Sequence, residues 1–444
     1  MNRYKGKKIA ILGFGYEGRN VVDFLLRHGS NDITVMDEKT LEPKIPKKYS
    51  RITFQLGPIN HAYLPKFDMV FKSPGIPKHK MFDKLNRLGK LHSRTSLFFD
   101  NCKAKIIGVT GTKGKTTTAS LIEVLLRSEL ESGKVFLTGN IGKLDPLALL
   151  SKVTKRDWVI FELSSFQLEY LKTSPHIAVV LAVTADHLDY HLTERAYIKA
   201  KKNIVEYQKP SDYVIAFDRT VSKKIARSSV AKKIFVGALG TSCDVRVGEE
   251  GIIVGKEVYP VVGLKLLGEH NRYNLAAALA VCHAIIPKPE ANRLRRVYTK
   301  FRPVEYRLEL VDVVEGVEFY NDGSSTIPDP TLAAVHSLKP KPVLLMLGGR
   351  SKGLNYSGFI EQLEKQTHIK KIIMFGELAK LLKKEVKESK LRPRYCKKMQ
   401  DALTYAKKIA ISGDAILFSP AATSFDEYDN YKQRAAHFNQ LIRK

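Results

Sequence analysis

Short apolar runs, each ending in glycine or a cluster of polar residues, alternate along this chain with stretches of helical period. Near the amino terminus Lys8–Gly13, Ile33–Met36 and Met69–Lys72 read as strands, and Gly18–His28 reads as a helix. In the middle Ile106–Val109, Val135–Thr138, Trp158–Leu163 and Ile177–Val183 follow. The last two are almost wholly apolar, as in a parallel sheet covered on both faces. A β-rich insert is expected at Asp244–Val262, then an alanine-rich helix opening at Gly268–Asn274. Four more strands, Val317–Asn321, Val343–Leu347, Lys371–Phe375 and Ala415–Phe418, each precede a helical pattern. The alternation predicts an α/β chain, and 444 residues are too many for one core. Three domains are expected: a Rossmann-like one over 1–98, a central P-loop ATPase-type domain with a mostly parallel sheet over 99–302, and a Rossmann-like one over 303–444.

Polar residues appear abruptly where the central strands stop, and that edge of an open α/β sheet is where ligands bind. The strand Ile106–Val109 runs into Thr110-Gly-Thr-Lys-Gly-Lys-Thr-Thr117 and then a helix. Gly111 and Gly114 permit a tight turn whose backbone N–H groups, from Thr112 and Lys113 on to Thr117, surround an anion at a helix start. Lys115 reaches terminal phosphates and the Thr116 hydroxyl ligates Mg²⁺. The strict pattern GxxxxGK[ST] wants glycine where Val109 stands, so the loop is a variant. Glu162, closing an apolar strand, is costly to bury unless paired or bound to a metal, and Mg²⁺ shared with Thr116 is the natural partner. Asn140 and Asp186-His187 end neighbouring strands.

Two weaker signals flank this centre. Gly13-Phe-Gly-Tyr-Glu-Gly18, with Gly15 and Tyr16 at its tip, matches GxGxxG, and Asp37 closes the next strand where a dinucleotide fold places its ribose-binding acid. A dehydrogenase is thus a competing reading, although the unit ends too early for a full dinucleotide fold. Phe71-Lys-Ser-Pro-Gly-Ile-Pro77, which carries Ser73, is a second turn suited to the same ligand or a plain connection. In the helix Thr193–Tyr207, Lys199, Lys201 and Lys202 read by pattern as a solvated face. Asn271 and Asn274, one helical turn apart, face a purine edge or cap the helix.

Composition narrows the class. With 44% hydrophobic and 27% charged residues the chain is globular, and no apolar run nears the roughly 18 residues a bilayer span needs. The four cysteines lack CxxC spacing, so neither zinc nor disulfides are indicated, and the cytoplasm is the expected compartment. The net charge of +29 is spread along the chain without aromatic interleaving or a nucleic-acid motif. It favours anionic small molecules over nucleic acid.

The ordered segments GVTGTKGKTTT, TGNIG, FELSSFQLE, TADHLDYH, YIKAK, HNRYN, EYRLE, NDGSST and SPAATSFDEY resemble the Mur ligases end to end. The likeness is greatest to the branch that adds glutamate to UDP-N-acetylmuramoyl-L-alanine in peptidoglycan synthesis. The resemblance implies a UDP-binding first domain, an ATPase second and an amino-acid-binding third, in a monomer. It implies that Lys115 and Thr116 hold ATP phosphates and Mg²⁺, that Glu162 shares that metal, and that His187 ligates a second. Lys201 becomes a carbamylated metal ligand in place of a solvated lysine. Asn140 would contact the muramoyl group, and Gly15, Tyr16, Asp37 and Ser73 the UDP end. Asn271, Asn274 and Arg307 would surround the nucleoside, with Asp322 nearby. Thr326, Lys352, Ser424 and the Tyr431 backbone would take the glutamate.

The enzyme alternative, folylpolyglutamate synthase, is disfavoured by the UDP-like first domain. A non-catalytic nucleotide-binding module is disfavoured by intact Lys115, Glu162, His187 and Lys201. The chain departs from the family at Asn321-Asp-Gly-Ser-Ser-Thr326, where Ser324 stands in place of a lysine. Lys352 or Arg350 is expected to supply the missing cation. A branch with a similar change is thought to use L-glutamate; D-glutamate is the isomer expected here.

Overall fold

A computed structural model describes residues 2–30, 32–38, 47–140, 144–184, 186–302, 305–351, 356–386 and 392–443. They pack as two compact units, Met1–Val261 with Tyr273–Tyr298, and Val262–Arg272 with Thr299–Lys444.

The first unit holds two sheets. In one, β1 (Lys8–Leu12), β2 (Asp32–Asp37), β3 (Thr53–Leu56), β4 (Met69–Lys72) and β5 (Leu91–His92) lie parallel in the order β3-β2-β1-β4-β5. Strand order reverses at β1, so the loop after it opens into a crevice. The second sheet contains β6 (Lys105–Thr110), β7 (Val135–Gly139), β8 (Trp158–Glu162), β9 (Ile177–Val180), β10 (Tyr213–Phe217), β11 (Lys232–Ala238), β12 (Val245–Val247), β13 (Gly251–Val254) and β14 (Glu257–Pro260). Its order is β14-β13-β12-β11-β10-β9-β6-β8-β7, and only the pairings β12–β13 and β13–β14 are antiparallel, so β13 alone runs against the other strands. Here the switch falls at β6, between β8 and β9. The two sheets share a core: Phe98 and Phe99 pack on Phe161 with ring centres 5.2 and 5.5 Å apart.

The second unit contains β15 (Glu309–Val314), β16 (Val317–Asn321), β17 (Val343–Gly348), β18 (Ile369–Phe375), β19 (Arg394–Tyr395) and β20 (Ala415–Phe418), ordered β15-β16-β20-β17-β18-β19. All pairs but β15–β16 are parallel, and apolar clusters cover both faces of the sheet.

The apolar runs mark the central strands well. Strands β3 and β19 escape such a reading because they are edge strands with exposed or half-buried side chains. The expected strand Ile177–Val183 ends at Val180, and Leu181 N–H then bonds to the Thr110 carbonyl as the chain turns toward the phosphate-type loop. Lys201 is the clearest departure from pattern: on the helix Glu194–Glu206, capped by the Thr193 hydroxyl, its side chain is 1% exposed.

Candidate active site

The buried strand β6 delivers its loop to the switch point. The Thr110 hydroxyl donates to the Leu163 carbonyl at 2.9 Å; Thr112 N–H bonds to Ala182 O and its hydroxyl to Thr184 O, at 2.8 and 2.9 Å. These bonds pin the turn to the ends of two neighbouring strands. Gly114, at φ +82°, precedes the helix Lys115–Glu129, and a Cβ there would lie 2.5 Å from Asn274 Oδ1. Glycine is therefore required both by backbone conformation and by space. Asn274 also accepts from Thr118 Oγ1 at 3.2 Å, so this amide braces the loop from beneath. Lys115 Nζ donates to the Gly111 and Thr112 carbonyls at 3.1 and 2.9 Å, which holds the ammonium over the turn.

Thr116 and Glu162 meet as the sequence predicts: the hydroxyl donates to the carboxylate at 2.8 Å, both groups being buried. Beside them Lys201 Nζ donates to Thr110 Oγ1 and Gly111 O at 3.2 and 3.0 Å and lies 4.8 Å from the centre of the Tyr197 ring. Burial, and then the neighbouring Lys115 charge, push the Lys201 amine well below the usual lysine range. The neutral amine, which is the nucleophile toward CO₂, is thereby favoured. His187 stands at φ +52° with its backbone N–H on Asp186 Oδ1 and its Nε2 3.6 Å from Asp186 Oδ2. Lys115, Asn140, His187 and Lys201 line one cavity of about 280 Å³ together with Gly111, Asp186 and Tyr197.

Among the described residues no three His, Cys, Asp or Glu side chains converge on a metal position. The donor set at the loop is instead a hydroxyl and a buried carboxylate, hard oxygen ligands of the kind that hold Mg²⁺ jointly with substrate phosphates. The residues present fit that ion.

At the amino-terminal switch point Asp37 Oδ2 accepts the Phe14 N–H at 2.6 Å, so this acid fixes the glycine loop. A Cβ on Gly18 would lie 1.9 Å from the Gly13 carbonyl, which explains the last glycine of the motif. Gly15 caps the following helix, Tyr16 is exposed, and the Ser73 hydroxyl reaches Gly13 O at 3.3 Å, bringing both predicted turns together. Two buried cations escape sequence reasoning. Arg94 pairs with Glu17 at 2.7 Å, and Lys72 donates to Tyr190 OH at 3.0 Å while burial lowers its pKa to about 8. Arg94 sits in an unremarkable sequence context, and Lys72 lies in the Phe71–Pro77 turn, whose pattern points to Ser73 and not to the lysine.

In the second unit Asn271 Nδ2 donates to Leu267 O at 2.6 Å, a bond within its own helix start, and Arg307 is exposed. Asp322 is buried; it accepts from Leu308 N–H, Ser325 Oγ and Ser419 Oγ, yet burial outweighs these bonds and raises its pKa to about 6. Thr326 is half-buried, Ser424 is buried, and Tyr431 opens the helix Tyr431–Ile442. Lys352 lies outside the described residues. Arg350, the other expected substitute for the missing lysine, is held by Glu377 through two 2.8 Å bonds, Nε to Oε2 and Nη2 to Oε1. Its charge is thus already matched.

Three family models match in order: Mur ligase MurD-like, N-terminal domain over 7–86, Mur ligase middle domain over 109–282, and Mur ligase, glutamate ligase domain over 306–422. The UDP-N-acetylmuramoylalanine–D-glutamate ligase of Ruminiclostridium cellulolyticum is 32% identical over 460 residues, covering 99% of this chain and 97% of that protein. The chain belongs to the Mur ligase family. The ligase of the same name from Clostridium tetani is 34% identical to this Mur ligase over 461 residues, covering 98% and 96% of the two chains. Among solved structures, the MurF ligase of Thermotoga maritima in complex with ADP aligns with a TM-score of 0.63 at 16% identity, covering 100% of this chain and 96% of that one. A pseudomurein peptide ligase type C from Methanothermus fervidus aligns at 0.58 and 18% identity, with 99% of each chain covered. Both support the fold. The dehydrogenase reading of the glycine loop falls with the family assignment, because the same turn here belongs to a ligase.

Proposed function

We propose that this Mur ligase joins D-glutamate to UDP-N-acetylmuramoyl-L-alanine with cleavage of ATP to ADP and phosphate, as a cytoplasmic monomer. The name shared by the relatives at 32% and 34% identity supports the substrate pair. The observation that carries the reading is the single cavity onto which Lys115, Asn140, His187 and Lys201 all open. A phosphate loop and strand-end polar groups on one cavity suit the meeting of a nucleotide terminus with a second substrate. We assign residues 1–98 to the UDP end, 99–302 to ATP and 303–444 to glutamate.

A carboxylate is a poor electrophile, so the alanyl carboxylate oxygen first attacks the γ-phosphorus and ADP leaves. The resulting acyl phosphate is attacked at carbon by the glutamate amine. The tetrahedral adduct then expels phosphate and leaves the amide. Lys115 offsets the crowding of γ-phosphate against carboxylate, and Asn140 orients the acceptor end. Mg²⁺, when bound by Thr116 and Glu162 and by His187 with a carbamylated Lys201, supplies further positive charge at the phosphates. Carbamylation is supported by the burial of Lys201 on the cavity that His187 also lines: a buried ammonium repels a cation, whereas a carbamate offers it oxygen. Asp37 and Ser73 shape the glycine loop for the nucleotide end, and Asn274 shapes the phosphate loop.

Phosphate release measured with ATP, UDP-N-acetylmuramoyl-L-alanine and either D- or L-glutamate tests the assignment. Turnover with the D isomer alone is expected. Turnover with the L isomer alone would overturn the stereochemistry, and release independent of the nucleotide sugar would overturn the substrate.

A further inference from the structure

The second unit hides a cation that no motif announces. Arg434, in the first turn of the helix Tyr431–Ile442, is 0% exposed. Its guanidinium donates to four carbonyls: Nη1 to Gly348 O at 3.1 Å and Thr423 O at 2.9 Å, Nη2 to Ala422 O at 2.9 Å and Gly323 O at 3.5 Å. These oxygens belong to the ends of three neighbouring parallel strands, β16, β17 and β20, and to the loops that follow them. The chain makes room for this group. A Cβ on Gly349 would lie 2.6 Å from Arg434 Nη1 and 2.0 Å from Thr423 O.

Burying a charge is costly unless a counter-charge accompanies it; among the described residues no carboxylate is in direct ion-pair contact with Arg434, and the Asp426 carboxylate acts on it only through its field. Its Nε has no hydrogen-bond partner, and the Phe418 ring centre lies 5.9 Å away. Burial lowers the guanidinium pKa only to about 10, so the charge persists at neutral pH. A device that merely tied three loops together would not need a buried charge that no carboxylate touches directly. A positive field at the carboxyl edge of the sheet is what an anionic ligand at that edge requires. Position 324 is serine, and of the two expected substitutes Arg350 is matched by Glu377 while Lys352 lies outside the described residues.

Resting on the reading that this unit receives glutamate, we propose that Arg434 is a positioning residue for that substrate: it fixes the three loops and supplies the buried positive charge that offsets the substrate carboxylates. Full-length wild type, R434K, R434Q and R434Q/S324K, each checked for cooperative thermal unfolding, are compared in the phosphate-release assay. R434Q is expected to raise the glutamate KM at least tenfold while the KM values for ATP and the nucleotide sugar stay within twofold. R434K should fall between R434Q and wild type. S324K, which returns a cation to the same edge, should recover at least threefold of the loss in the R434Q background, a rescue that a purely structural role would not give. Unchanged glutamate KM in folded R434Q, a parallel rise of all three KM values, or no recovery by S324K overturns the proposal. Should R434Q not fold, R434K decides: a selective rise in glutamate KM supports the proposal and an unchanged value overturns it. Wild type that releases no glutamate-dependent phosphate would instead overturn the substrate assignment, so the two failures are distinct.

Discussion

Thr116 Oγ1 lies 2.8 Å from Glu162 Oε2, a buried contact between residues 46 apart in the chain, made because β6 and β8 are adjacent and end level. A hydroxyl that donates to a carboxylate here leaves two hard oxygens side by side at the mouth of a helix amino terminus. Glu162→Gln keeps the shape and removes the charge. It is expected to lower kcat/KM by about two orders of magnitude and to shift the Mg²⁺ activation curve to higher concentration. An unshifted Mg²⁺ curve would remove Glu162 from the metal site.

Lys115→Ala should stop acyl phosphate formation while UDP-N-acetylmuramoyl-L-alanine still binds, since the amino-terminal glycine loop is built by Asp37 and Ser73 independently of Lys115. Calorimetric titration of the nucleotide sugar checks this. A loss of affinity matching the loss of turnover would argue against separate sites.

Lys201 is expected to carry a carbamate in active enzyme prepared with ¹³C-bicarbonate, seen as a carbonyl resonance that Lys201→Ala lacks. The same variant should be nearly inactive and partly rescued by a small carboxylic acid occupying the vacated space. Fully active enzyme with an unmodified amine would refute the assignment.

Much of this was legible in the chain and some was not, for definable reasons. The loop at Gly111–Thr117 and the acid at Glu162 announce themselves because chemistry interrupts an apolar run. Lys201 does not: its helix carries lysines at 199, 201 and 202, and helical period alone cannot say which one turns inward. Asp37 and Asn274 were legible as site residues, yet the structure has them bracing loops, because a short polar side chain at a strand or helix end bonds the nearest backbone. Arg350 looked like a free cation only because Glu377, 27 residues on, is brought beside it by the pairing of β17 with β18.

Arg350→Ala is therefore expected to change the glutamate KM less than about twofold, as exposed ion pairs contribute little. A tenfold rise, measured with ATP saturating, would place Arg350 in the binding site after all.

Asp322 gives a pH signature. Its folded pKa of about 6 lies above that of an unfolded aspartate, so between roughly pH 4 and pH 6 the folded state binds more protons. Stability contributed by this group consequently rises as pH falls through that window, by roughly 2 to 3 kcal/mol at the limit. Asp322→Asn, which does not titrate, should lack this component, so the difference in thermal midpoint between wild type and variant should move in favour of wild type from pH 7 to pH 5. A difference independent of pH would mean that the carboxyl titrates normally.

The central claim is that ATP activates a substrate carboxylate at the Lys115 loop. Oxygen transfer tests it most directly: UDP-N-acetylmuramoyl-L-alanine labelled with ¹⁸O in the alanyl carboxylate is turned over with ATP and glutamate, and the released phosphate is weighed by mass spectrometry. One ¹⁸O per phosphate is predicted, since the carboxylate oxygen that attacks phosphorus leaves with it when the amide forms. Phosphate free of label would mean that water or another nucleophile attacks ATP, and would contradict the account.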